Sequence, residues 1–258
     1  MSYHIYHQSL DSATLTYSGT PDTDYPITNV QDRNQGTYFK DTTPGGASFS
    51  IKIDLGTSRT CDYLLLGNYV FVHDDIDTVT LKRSSTGAFT GEETTVFSDN
   101  GWSSANPDNK LRKFSSCGNR YWQITFADNV AVYDLRIATI FLGTRLDLAH
   151  MPEIDTDLVS GYDVGINESA GGKRYATIFN TTARRNWKFD YKYINSTEKT
   201  HLETMRDSVY MGDICRYPFY FSDDSETTFY LVRSRNRLKI TEHAYQQWQT
   251  TFEFEEEL

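Results

Sequence analysis

The 258-residue chain reads as mainly β: an N-terminal jelly-roll β-sandwich, then a β-sandwich or split-barrel module with one short helix. Three observations predict this. Apolar residues alternate with polar ones in many short runs, the period of a strand with one buried face. Aromatic residues make up 14%, with 18 Tyr and 15 Phe, side chains that suit half-buried pleated surfaces. Only one stretch, near residue 200, places apolar residues at helical spacing.

The strands follow in order. In SFSIKIDLG, Phe49, Ile51, Ile53 and Leu55 alternate with small or polar residues, and Gly56 is expected to end the run. CDYLLLGNYVFV is continuously apolar, the pattern of a strand buried on both faces. DTVTLKRS alternates through Val79 and Leu81. SDNGWSSANPDN reads as a loop. RYWQITFAD then buries Trp122, Ile124 and Phe126, and VYDLRIATIFLG continues with Tyr133, Leu135 and Ile137 on one face. These strands, without helices between them, predict a jelly-roll domain over residues 1–150. The polar, glycine-bearing stretch from Pro152 to Arg174 predicts a linker or long loop over 151–174.

The remaining module, 175–258, opens with RRNWKFDYKY, alternating through Trp187, Phe189, Tyr191 and Tyr193. A helix is predicted over about 196–211, capped by Ser196 or Thr197, with Leu202, Met205 and Val209 on one face and Gly212 as its stop. RYPFYFSDD, TTFYLVRS, RLKITEHAY and WQTTFEFEEE read as strands. The last carries Trp248, Thr250, Phe252 and Phe254 on one face.

Composition excludes several functions. A net charge of −10 disfavours non-specific nucleic-acid binding, which needs a basic field. The longest apolar runs are too short to span a bilayer, so no membrane insertion is expected. The opening SYHIYHQS lacks a basic region and an apolar core, so no secretory signal is expected, and Asn167, Asn180 and Asn195 are then chance glycosylation matches. Cys61, Cys117 and Cys215 are far apart and form no CxxC pair. That disfavours structural zinc and leaves three small buried thiols as the favoured reading, with a Cys61–Cys117 bridge as the alternative.

Signatures of catalysis are absent: no GxSxG, HExxH, P-loop or EF-hand pattern occurs, so the chain is expected to be non-enzymatic, without cofactor or metal. GINESAGGKR has Asn167 and Arg174 where a phosphate loop needs Gly and Ser or Thr. HDDID, His73 to Asp77, reads as a solvated turn before a cation site. Tyr38, Phe39, Asn68, Tyr69 and Trp102 fall where a jelly-roll rim forms. Aromatic faces beside hydrogen-bonding edges suit either a sugar or a subunit contact, with the contact favoured. Arg233, Arg235 and Arg237 form a basic strand face, complementary to Glu253 and Glu255 of another copy.

On YPITNVQDRNQGTYFKD, SFSIKIDLG and RYWQITFAD, the first half resembles discoidin or galactose-binding-like jelly rolls, without the two terminal cysteines of the secreted members. On FLGTRLDLAHMPEIDTD, the stretch from GGKRYATIFN through HLETMRD, PFYFSDDSETTFYLVRS and WQTTFEFEEE, the second half resembles distal-tail or baseplate proteins of long-tailed bacteriophages. That resemblance implies a virion component, made in the bacterial cytoplasm. Its partners would be other copies in a closed ring and other phage tail proteins. The alternative is a carbohydrate-binding module contacting a host surface glycan.

Overall fold

The computed structural model describes residues 3–42, 48–71, 78–100, 102, 104–127, 135–148, 164–168, 174–178, 184–211, 214–222 and 228–257. They fall into two compact units. One is continuous, Tyr6–Arg145; the other joins Met1–Ile5 to Leu146–Leu258. The sequence reading set two domains in tandem, but the opening strand β1 (Tyr3–Tyr6) pairs antiparallel with β10 (Leu146–Leu148), which puts Ile5 opposite Leu146. Period-two patterning reveals a strand but not its partner, so this connection was invisible. We call the units the inserted and the split unit.

The inserted unit is a jelly-roll-type β-sandwich built on two long bent strands, β4 (Phe49–Phe71) and β7 (Ser104–Ala127). Around them lie β2 (Thr14–Tyr17), β3 (Phe39–Lys40), β5 (Thr78–Ser84), β6 (Thr94–Asp99), β8 (Leu135–Ile137) and β9 (Thr139–Gly143). The first half of β4, Phe49 to Asp54, lies between β2 and the end of β7; beyond Tyr63 its second half pairs with β9, β8 and the start of β7. Ile51 and Ile53 from one half share a core with Leu64 and Leu66 from the other, so the two layers face each other. Each fully buried aliphatic or aromatic side chain contributes about 1.5–3 kcal/mol of transfer free energy. Tyr63 and Leu65, on the opposite face from Leu64 and Leu66, are also fully buried.

Two expectations are corrected here. Gly56 does not end its strand: at φ 75° it accommodates a register break between Asp54 and Arg59, and β4 continues. The SDNGWSSANPDN segment is not all loop, since β7 already begins at Ser104. A strand segment made of polar residues carries no apolar alternation, which is why composition misread it. The HDDID stretch, His73 to Asp77, lies outside the described residues, as does Tyr133.

The split unit contains, besides β1 and β10, the strands β13 (Asn186–Ile194), β16 (Phe219–Ser222), β17 (Phe229–Ser234), β18 (Thr241–Ala244) and β19 (Gln247–Glu256). They form a sheet of order β10-β1-β16-β17-β19-β13, with β18 beside β19. β11 (Val164–Glu168), within the stretch that reads as linker, pairs as a separate hairpin with β12 (Arg174–Ile178), which begins at the last residue of that stretch. β14 (Tyr210–Met211) and β15 (Ile214–Cys215) form another small ladder. The single helix described, α1 (Ser196–Val209), buries Leu202, Met205 and Val209 in the core with Phe189, Phe219 and Phe254.

The helix cap is Asn195, one residue before the expected caps. Its side chain accepts from the Glu198 N–H at 2.9 Å, and the Glu198 carboxylate accepts from the Asn195 N–H at 2.9 Å. This reciprocal box satisfies two donors that every helix start leaves open. Gly212, the expected stop, lies outside the described residues.

Candidate functional site

One rim of the inserted unit brings aromatic rings and polar side chains together. Pro26 starts a 3-10 turn over Ile27–Gln31, because its fixed φ of −67° suits an entry position. Asn29 Nδ2 donates to the Tyr38 carbonyl at 2.9 Å, and the Lys40 N–H donates to the Tyr25 carbonyl at 3.1 Å, which folds the segment back on itself. Tyr25 and Tyr38 thereby stack, with ring centroids 4.5 Å apart and planes 7° from parallel. Strand register supplies the third member. Lys40 pairs with Arg136 across β3 and β8, and the Arg136 guanidinium lies 5.5 Å from the Tyr38 ring centroid.

Asn68 belongs to the same rim. It sits in a left-handed bulge at φ 47°, its N–H donates to Asn109 Oδ1 at 3.0 Å, and its Nδ2 donates to the Gln35 carbonyl at 2.9 Å. Short polar turns hold the neighbouring loop: Asp32 accepts from the Asn34 N–H at 2.8 Å and from the Thr37 hydroxyl at 2.5 Å. The Tyr25 hydroxyl is held above its ordinary pKa, first by its hydrogen bond to Tyr38, then by the charge of that neighbour, by burial, and by Asp22 and Asp24. Both tyrosines are half-buried, so the pair presents a fixed aromatic surface edged by hydroxyls, carboxylates and a guanidinium. Such a surface can hold a flat, hydroxylated ligand, with rings against C–H faces and polar edges on its oxygens.

The structure splits the expected rim. Tyr38 and Asn68 lie in it. Phe39, Tyr69 and Trp102 do not: Phe39 and Tyr69 are fully buried, Trp102 is 6% exposed, and all three belong to the core. Phe39 opens β3 with its ring in the core, while Tyr38 precedes the strand; Asn68 sits at the bulge that breaks the β4 register, and Tyr69 beyond it returns to the core. Trp102 stacks on Phe97 instead, with centroids 6.1 Å apart. Tyr25 and Arg136 were missed by the sequence reading; the Tyr-Pro turn and the polar position in an apolar strand were their only signals.

The proposed contact between copies is also corrected. β19 is not an edge strand, since β13 pairs along one side while β17 and β18 pair along the other. Arg233 pairs with Glu257 of its own chain and donates to the Arg216 carbonyl at 2.7 Å; Arg235 lies 3.5 Å from Glu255, which also meets Arg184 at 3.6 Å. Glu253 accepts through its carbonyl from the Arg235 N–H at 2.8 Å. The charge complementarity read from the sequence is real but is used within the fold. Arg237 instead lines a cavity of about 620 Å³ in the split unit, with Asp190, Lys192, Lys239 and Gln249.

Among the described residues, no group of three His, Cys, Asp or Glu side chains is placed to hold a metal ion, and no helix is long and apolar enough to cross a membrane.

No family model matches the sequence, and the search of curated proteins returns no match. Solved structures do show similarity. A labelled variant of a chitosan-binding module from a Paenibacillus sp. IK-5 chitosanase/glucanase is 17% identical over 53% of this chain and 98% of that one, at a TM-score of 0.43. A family 32 carbohydrate-binding module from Clostridium perfringens, solved with galactose, is 17% identical over 54% and 98%, at 0.42. A Ruminococcus gnavus fucosidase solved with fucose is 19% identical over 54% of this chain but 27% of that one, at 0.43. Similarity of this degree assigns no ligand. The β-sandwich stands on the strand pairing itself.

Proposed function

We propose that the chain is a non-enzymatic recognition protein whose inserted unit binds a carbohydrate at the Tyr25–Tyr38–Arg136 rim. The observation that carries this reading is the stacked tyrosine pair with a guanidinium over one ring. Tyr25 and Tyr38 are pre-ordered by backbone hydrogen bonds, so a ligand meets rings whose rotamers are already fixed, which lowers the entropic cost of binding. Hydroxyls, Arg136 and Asp22 then supply donors and acceptors around a flat apolar face. The test is a glycan array followed by calorimetry on the hit. Tyr38→Ala is expected to weaken binding at least tenfold while leaving the melting curve nearly unchanged. Absence of any glycan ligand, or full binding by Tyr38→Ala, overturns the reading.

A second reading is a structural component of a bacteriophage tail tip, closing as a ring with copies of itself and located in the virion. What supports it is the motif order of the second half together with two aromatic side chains left in solvent: Tyr193 on the edge strand β13 is 54% exposed, and Tyr245 is 85% exposed. Exposed aromatics of this kind are enriched at protein interfaces. Electron microscopy of the concentrated protein decides it, since a monomer at all concentrations excludes the ring.

A further inference from the structure

Cys61 and Cys117 were singled out by sequence as either a bridge or separate thiols. In the structure both are unbridged, and they stand directly opposite one another in the antiparallel register of β4 and β7, within a regular stretch that also pairs Arg59 with Asn119 and Thr60 with Gly118. Directly opposed residues on antiparallel strands point to the same face, with Cα atoms about 4.5–5.5 Å apart. A disulfide needs about 4.4–6.8 Å between Cα atoms, a spacing that this register provides. Cys61 is fully buried in the sandwich core, while Cys117 packs against that core and is partly exposed.

We propose that this pair is a thiol oxidation site, closed to a cross-strand disulfide by a low-molecular-weight disulfide such as oxidised glutathione.

The order of events follows from exposure. The Cys117 thiolate attacks one sulfur of the small disulfide; that S–S bond breaks and one small thiol leaves, taking up a proton. Cys61, losing its own proton to solvent or to the departing thiolate, attacks Cys117 Sγ and displaces the second small thiol. Two protein thiols are oxidised and one small disulfide is reduced to two thiols. The second step needs no access for an outside reagent, because its partner sulfur is already across the ladder. Burial pushes the Cys61 thiol up to about 12 and raises that of Cys117 as well, so closure is slow near neutrality and faster in alkali. Cys215 lies in the core of the split unit, which makes it an internal control.

The experiment is incubation of the full chain with oxidised glutathione in mildly alkaline buffer. Peptide mapping without reductant and a thiol count in denaturant follow. The expected result is a Cys61–Cys117 cross-linked peptide, a fall from three thiols to one, and a melting temperature raised by several degrees that reductant reverses. Cys61→Ser should instead trap glutathione on Cys117. The mapping is done on the wild type, so it stands even if that variant folds poorly. A stable glutathione adduct on Cys117 in the wild type, three thiols persisting after prolonged incubation, or a bridge involving Cys215 overturns the proposal.

Discussion

Glu92 knits together a turn whose backbone is otherwise unfavourable. Gly87, Phe89 and Gly91 all lie at positive φ between β5 and β6, and Glu92 gathers them by accepting from the Ser84 hydroxyl, the Thr86 hydroxyl at 2.7 Å and the Phe89 N–H at 3.1 Å. The Ser84 bond, then the Thr86 bond, lowers its carboxyl to about 2. A depressed folded-state pKa means the stabilisation is complete above the unfolded value of about 4.3. It is lost as pH falls from there towards about 2. Glu92→Gln is therefore expected to melt lower than wild type at neutral pH, with the gap closing below pH about 4. Thermal melts of both proteins across that window check it. Because Glu92 is solvent-exposed, the gap should be small and reduced by salt.

At the scale of elements, β19 matters most. Its alternation announced a strand with a Trp248, Thr250, Phe252 and Phe254 face, and Phe252 and Phe254 are indeed buried core residues. Its position in the sheet was not legible, because an alternating face says which side is buried and nothing about which neighbours complete the ladder. The consequence is testable by truncation. Deleting Glu253 to Leu258 removes Phe254 and the pairing of Glu255 with both Asn186 and Arg233. The split unit should then lose its cooperative melting transition, while the inserted unit keeps its own. Calorimetry showing two intact transitions would refute this central role. Much else at this scale could be read directly: the alternation of β4 from Phe49 to Leu55, that of β13 from Trp187 to Tyr191, and the helix face of Leu202, Met205 and Val209. Tyr193, expected on the buried face, instead lies at φ 70° where the β13 register breaks and is exposed. The candidate site could not be read in this way. Tyr25 and Arg136 lie far apart in sequence; the Lys40–Tyr25 hydrogen bond brings one of them to Tyr38 and the β3–β8 register brings the other.

For the whole molecule, the insertion sets the expectation. Ile5 and Leu146 are cross-strand partners, so replacing 6–145 by a two-residue Asn-Gly turn should join β1 to β10 as an ordinary hairpin. The shortened chain is expected to fold as the split unit alone, and residues 6–145 to fold as a separate protein. Circular dichroism melts of each piece check this. Glycan binding, if carried by the tyrosine rim, should follow the 6–145 piece.

The same connection governs how the protein is made. Strand β1 leaves the ribosome well before its two sheet neighbours, β10 and β16, and β16 is complete only after Ser222 has been added. At about 5–20 residues per second, β1 waits roughly 7–30 s for β10 and roughly 10–40 s before both of its edges can be paired. The contiguous 6–145 stretch has every partner it needs well before then. Birth order and folding order are therefore reversed for β1: made before the 6–145 stretch, it is placed after it. Its brevity, four residues reading YHIY, limits the adhesive edge that the nascent chain exposes while it waits.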